Sequence, residues 1–134
     1  MVTAAKILIM GGMLNLALAF ALGFALARQR ATVPQRPGGY LLNSHRTALW
    51  QGFMQLGLVF AVQLSDLSAS LEILAAWLLV VASALGDATE ILSWLKGIQD
   101  QLVQRPWWIY MGLASAFLTS LGVGILLVGD FLGL

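Results

Sequence analysis

The chain has 134 residues, 60% of them hydrophobic and 10% charged, with a mean hydropathy of +0.88. A soluble domain carries about 25% charged and 45–50% apolar residues, so in water this chain would cover itself with apolar patches; the expected solvent is a bilayer, and the length suits one domain. The net charge of +1 is too small for the basic face that binding nucleic acid requires. The absence of cysteine excludes disulfides, thiolate nucleophiles and iron–sulfur or zinc–thiolate centres.

In chain order, four apolar runs are long enough to cross a membrane, which takes about 20 residues. The first, residues 7–27, is interrupted only by Asn15. Its apolar stretch exceeds the h-region of a signal peptide, and Arg28 and Arg30 follow it at once, so it reads as a retained helix. The second, 47–64, contains Gln51, Gln55 and Gln63; the third spans 67–95; the fourth, 107–128. The expectation is an all-α integral membrane protein, a four-transmembrane-helix bundle forming a single domain, with a long loop at 28–46.

Four crossings put the 28–46 and 96–106 connections on one side. Arg28, Arg30, Arg36, Arg46, Lys96 and Arg105 fall there, and only Lys6 on the other. The positive-inside rule then makes those connections cytoplasmic and both termini external, in a bacterial inner membrane. Trp50, Trp94, Trp107, Trp108 and Tyr110 gather near that side as interface anchors. Small residues at four-residue spacing give two packing seams, Gly11-Asn15-Ala19-Gly23-Ala27 in the first run and Gly112-Ala116-Ser120-Gly124 in the fourth.

Ionisable groups inside a membrane cost about 2.5–3.5 kcal/mol each on insertion scales, so each needs a partner or a purpose. Glu72, Ser83, Asp87, Glu90 and Trp94 share one stripe of the third run at about 100° per residue. Glu72 lies near the outer end, within reach of the interface. Asp87 and Glu90 lie deeper and either pair with Arg46, Lys96 or Arg105, or serve as acids. The second run opens at Asn43-Ser44-His45-Arg46. Gly52, seven residues after the chain's one histidine, clears space on the same face, and Gln51 flanks that face. The plain alternatives are a capping role for His45 and interhelical bonding for Asn15, Gln51 and Gln55. The hydroxyls of Ser115, Thr119 and Ser120 can bond their own helix, and Asp130 falls near the carboxyl end as a solvated group. No phosphate-binding loop, nucleophile elbow or paired metal-binding histidines occur. A site is expected where His45, Gln51, Asp87 and Glu90 converge.

At these residues the chain resembles a family of small four-helix membrane isomerases, the hydroxylaminobenzene mutases and styrene oxide isomerases. The resemblance rests on Pro37-Gly38-Gly39-Tyr40, then His45, then Gln51-Gly52 six positions on, and on Gly86-Asp87-Ala88-Thr89 in the third run. It implies haem b held through His45 as axial iron ligand, a homotrimer, a small aromatic substrate oriented by Gln51, and a proton from Asp87 or Glu90. The epoxide isomerases place a functional tyrosine in the third helix, where this chain has Ser93, or Glu90 in an ungapped alignment. The resemblance therefore implies rearrangement of an aromatic hydroxylamine such as hydroxylaminobenzene to 2-aminophenol, with epoxide isomerisation as the alternative. Outside the family, a non-catalytic subunit of a larger membrane complex and, more remotely, a small ion or proton transporter fit the same composition.

Overall fold

The computed structural model describes residues 3–33 and 39–132. The elements are α1 (Thr3–Thr32), α2 (Gly39–Leu64), α3 (Ala69–Leu95), the short α4 (Gln101–Gln104) and α5 (Ile109–Leu132). α1, α2, α3 and α5 are each long and apolar enough to span a bilayer. The protein is an all-α integral membrane bundle, as composition dictates.

α1 and α2 exceed their apolar runs, whereas α3 starts two residues inside its expected bound and α5 is shifted toward the carboxyl end. α1 continues to Thr32 because Ala27-Arg28-Gln29-Arg30-Ala31 is made of good helix formers, and propensity, not hydropathy, decides where a helix stops. α2 begins at Gly39, where φ is +47°, so much of the expected 28–46 loop is helical and His45 lies well inside α2 rather than at its entrance. The Pro37-Gly38 step and Arg36 lie outside the described residues. α3 ends in a full Schellman motif: Gly97 takes φ +65°, its N–H donates to the Trp94 carbonyl at 3.1 Å, and Ile98 N–H donates to the Ser93 carbonyl at 2.9 Å. Within the expected 96–106 loop, Asp100 caps α4 by accepting from Leu102 and Val103 N–H at 2.8 and 3.2 Å.

Two apolar clusters fix an up-down-up-down order. At one end Ala4, Ala5 and Leu8 of α1 meet Val62, Ala75, Leu79 and Leu126. At the other, Leu22 and Leu26 meet Leu41 and Ala48, with Ile91 and Trp94 packed alongside. α1 and α2 cross at a glycine pair: a Cβ on Gly12 would come within 3.0 Å of the Gly52 carbonyl, and one on Gly52 within 3.1 Å of the Gly12 carbonyl. The space that Gly52 clears is thus filled by α1, through the Leu16 side chain at 2.9 Å and the Gly12 carbonyl at 3.1 Å. The α1 seam packs inward through Gly11, Asn15 and Ala19, but Ala27 is exposed. Of the expected α5 seam, Gly112 meets α3, where a Cβ would stand 3.3 Å from Thr89 Cγ2, but the rest is not the packed face. Ala116 and Ser120 are exposed, a Cβ on Gly124 would touch nothing, and α5 buries Ser115, Gly122, Leu126 and Gly129.

Candidate functional site in the polar interior of the bundle

α3 is the spine of the site, because it packs against α1, α2 and α5 and its polar stripe turns inward. Ser83 and Asp87 are each only 4% exposed. Around Ser83, three helices meet through side chains. Asn15 Nδ2 of α1 donates to Ser83 Oγ at 3.1 Å and Gln55 Nε2 of α2 donates to it at 2.9 Å, while the hydroxyl donates to the Val80 carbonyl at 2.8 Å. One donation and two acceptances saturate a serine hydroxyl. Gln55 Nε2 also reaches the Leu79 carbonyl at 3.3 Å, and Gln55 Oε1 is buried without a partner.

One turn along, the Gln51 amide, oriented with its nitrogen inward, donates to the Ser83 carbonyl at 3.2 Å and to Asp87 Oδ1 at 3.1 Å. Gln51, not a basic residue, therefore meets this oxygen of Asp87. Gly86 makes the approach feasible: a Cβ there would stand 2.9 Å from Ser115 Oγ and from the outer end of the Gln51 amide, its oxygen in this orientation. Ser115 bonds across to the Ala82 carbonyl of α3 at 2.7 Å, not to its own helix as the hydroxyl pattern predicts, because it faces the α3 contact. Glu90 follows on the same helix, and its Oε2 is buried with no hydrogen-bond partner.

α3 separates two grooves. One, about 360 Å³, runs between α1 and α3, with Asn15, Ser83 and Asp87 at its base. The other, about 500 Å³, lies among α2, α3 and α5; Gln51, Glu90, Ser115, Thr89 and Gln101 are among the polar groups lining it. Beside Gln101, at the end toward α4, lies a second node at Ser93. The fully buried Ser93 hydroxyl accepts from Gln101 Nε2 at 2.7 Å and Trp108 Nε1 at 2.9 Å and donates to the Thr89 carbonyl at 2.9 Å. Tyr40 OH accepts from Gln101 N–H at 3.1 Å, tying the start of α2 to this node.

The four expected site residues do not all converge. Gln51 bonds Asp87, but Asp87 lines the α1–α3 groove while Gln51 and Glu90 line the one among α2, α3 and α5. His45 lies on the α1-facing side of α2, where Nδ1 meets the Ala19 carbonyl at 2.8 Å and Cε1 would stand 3.1 Å from a Cβ on Gly23. It lines neither groove. About 120° of rotation separates positions 45 and 51 on a helix, so α2 shows one residue to α1 and the other to α3. A carbonyl can only accept, so Nδ1 carries the proton and Nε2 keeps its lone pair, the tautomer that ligating histidines adopt. The donor chemistry of Nε2 would suit a bond to a haem iron, while the ring itself packs against Ala19 and Gly23 outside both grooves. Glu72 does not reach out to the interface: it is 5% exposed, since its place in the first turn of α3 sets it on the inward stripe, where the positive end of the helix dipole favours a carboxylate. Asp130 is likewise not simply solvated, as its Oδ1 is covered and unpartnered. Sequence reasoning missed Gln101 and Trp108 as partners of Ser93; the Asp100 capping pattern was the one local signal for a structured cap. No protein-family model, curated protein or solved structure matches the chain.

Proposed function

We propose that this protein is a membrane-embedded isomerase that rearranges a small aromatic hydroxylamine, such as hydroxylaminobenzene, to the 2-aminophenol. The observation that carries the reading is the Gln51–Asp87 hydrogen bond at 3.1 Å beside the unpartnered, buried Glu90 oxygen. An amide and two carboxyl groups stand together in a bundle whose other interior surfaces are largely apolar. Intramembrane carboxyl groups are costly and mark function by default.

The rearrangement needs no oxidant or reductant. The N–O bond breaks, a C–O bond forms at the ortho carbon, that carbon loses its proton, and nitrogen gains one. A carboxyl group that gives a proton to the departing oxygen takes back the ring proton, and the extra proton on the oxygen, once it is bonded to the ortho carbon, passes to nitrogen, so the net proton count is zero. Asp87, fixed by Gln51, is the group assigned to this exchange. Glu90 communicates with the polar groove, whose volume and donors suit water. Gln51 orients the substrate's polar end through the Asp87 carboxyl that it holds, and the apolar walls hold the ring.

Haem b is part of this proposal, with His45 as the residue that would hold it. Bound there, it would supply Lewis-acid polarisation of a substrate oxygen. The reading further includes a homotrimer in a bacterial inner membrane.

Purified protein in lipid vesicles is expected to convert hydroxylaminobenzene to 2-aminophenol and to leave styrene oxide unchanged. Asp87→Asn is expected to lower kcat by 10²-fold or more, on the order of the contribution of a positioned acid–base, and Glu90→Gln by less. A Soret band lost in His45→Ala would support the haem assignment; colourless protein of full activity would remove haem and leave the carboxyl mechanism. Wild-type protein inert toward hydroxylaminobenzene, with or without added haem, overturns the proposal.

A further inference from the structure

The two grooves flanking α3 differ in kind. The polar one holds Glu90 and has the Ser93 node beside it. The one between α1 and α3 has walls of Leu14, Leu18, Val80 and Ile91, and polar atoms only at its base. Its rim faces lipid: Leu14 is 68% exposed, and Ala84 is exposed on the opposite wall. We propose that this groove is a binding site, entered sideways from the bilayer, for a small aromatic molecule bearing one N–H or O–H donor, an aromatic amine being the representative class. The proposal rests on the isomerase reading only for the suggestion that this ring compound is also the substrate.

Size comes first. A dry apolar cavity of about 150 Å³ holds benzene, so about 360 Å³ takes a substituted ring, and it falls within the range of small-molecule sites, about 300–1,000 Å³. The donor requirement follows from counting valences at the base. The Ser83 hydroxyl is saturated by Asn15, Gln55 and the Val80 carbonyl. Asn15 spends one N–H there and keeps its carbonyl oxygen. Gln51 engages only Oδ1 of Asp87, so the second carboxyl oxygen has no protein partner and stays open to a hydrogen-bonding guest in the groove that Asp87 lines. Asp87 lies eight residues from the end of α3, about 12 Å along the axis at 1.5 Å per residue, below the reach of headgroups. A lipid acyl chain in the groove would cover these acceptors and offer them nothing, the costly case for buried polar groups. A ring with an amino or hydroxyl group satisfies both surfaces at once.

The test is equilibrium binding of aniline, with toluene as the same shape lacking a donor, to the full-length protein in nanodiscs. Ala84→Phe fills the α1–α3 groove from a lipid-exposed position where the added ring costs the fold little; Ala88→Leu does so more mildly; Ala116→Phe fills the other groove. Circular dichroism confirms that each variant keeps its helices. Aniline is expected to bind wild type saturably and toluene about tenfold more weakly. Ala84→Phe is expected to weaken aniline about tenfold, Ala88→Leu less, and Ala116→Phe not at all. The inference is overturned by absent saturable aniline binding, by equal binding of toluene, or by loss in Ala116→Phe with Ala84→Phe unaffected. Turnover of hydroxylaminobenzene by the same samples separates the two claims. Aniline bound in this groove without any turnover sinks the isomerase and keeps the site, whereas turnover with unchanged KM in an Ala84→Phe protein that still binds aniline as wild type does sinks the site and keeps the isomerase.

Discussion

A single amide decides how Asp87 is presented. Gln51 donates both to the backbone of Ser83 and to the carboxyl of Asp87, so Gln51→Leu removes two bonds in one change. In water, leaving a buried acceptor unpaired costs about 1–3 kcal/mol. In lipid, measured side-chain hydrogen bonds average about 0.6 kcal/mol, because the unfolded chain in the membrane also finds partners. Gln51→Leu is therefore expected to unfold in detergent within about 1 kcal/mol of wild type while kcat for hydroxylaminobenzene falls at least tenfold; a matched loss of both would mean that Gln51 only holds helices together. Ser93→Ala is the contrasting case. It strands the Gln101 and Trp108 donors near the aqueous end, so it is expected to cost about 1–3 kcal/mol and to shift tryptophan emission as Trp108 is released.

These residues differ in how legible they are. Asn15, Gln51, Asp87 and Glu90 stand out because each interrupts an apolar run and lipid penalises the interruption, so their inward direction follows from cost alone. The side of α2 that His45 occupies could not be read the same way. Its neighbour is fixed by the Gly12–Gly52 crossing, which sets the rotation of α2 against α1 and leaves the imidazole against Ala19 and Gly23. The Ser93 node is invisible in sequence because its partners arrive from 8 and 15 residues away through the α4 turn.

Among the helices, hydropathy located all four spans, yet it misjudged ends and faces for separate physical reasons. Ends follow propensity and capping, which is why α1 runs past its apolar stretch and α3 stops at Gly97. Gly97→Ala forces a Cβ into φ +65° and is expected to lower stability by about 1 kcal/mol, read as the free energy of detergent unfolding. Faces follow helical phase. A step of four advances about 400°, so each step drifts about 40°, and a seam traced by fours over twelve residues rotates by about 120°. The α5 seam fails for that reason, and the packed residues instead alternate spacings of seven, four and three. Gly122 is the position in contact, where a Cβ would stand 2.9 Å from Leu79 Cγ and 3.2 Å from the Ala75 carbonyl. Gly122→Leu is expected to destabilise the bundle by about 1–3 kcal/mol through overpacking, and Gly124→Leu to leave the monomer fold unchanged. Equal effects would contradict the observed phase of α5.

The whole molecule is polarised along its axis. Arg28, Arg30, Arg46, Lys96 and Arg105 are all exposed at the end where α2 begins and α3 finishes, and Lys6 is exposed at the other. The polar groove with Glu90 approaches that same basic end through Gln101, while the opposite end is closed by the apolar contact of Ala4, Ala5, Ala75 and Leu126. If translocation obeys the positive-inside bias, water and protons reach Glu90 from the cytoplasm and never from outside, and the aromatic guest enters laterally between α1 and α3. Because the chain has no cysteine, single reporters are unambiguous. In intact cells a membrane-impermeant maleimide is expected to label Asp66→Cys, in the exposed turn between α2 and α3, at once, and Gln99→Cys only after permeabilisation. The reverse order would invert the topology and put the proton supply for Glu90 on the external face, making activity follow external rather than cytoplasmic pH.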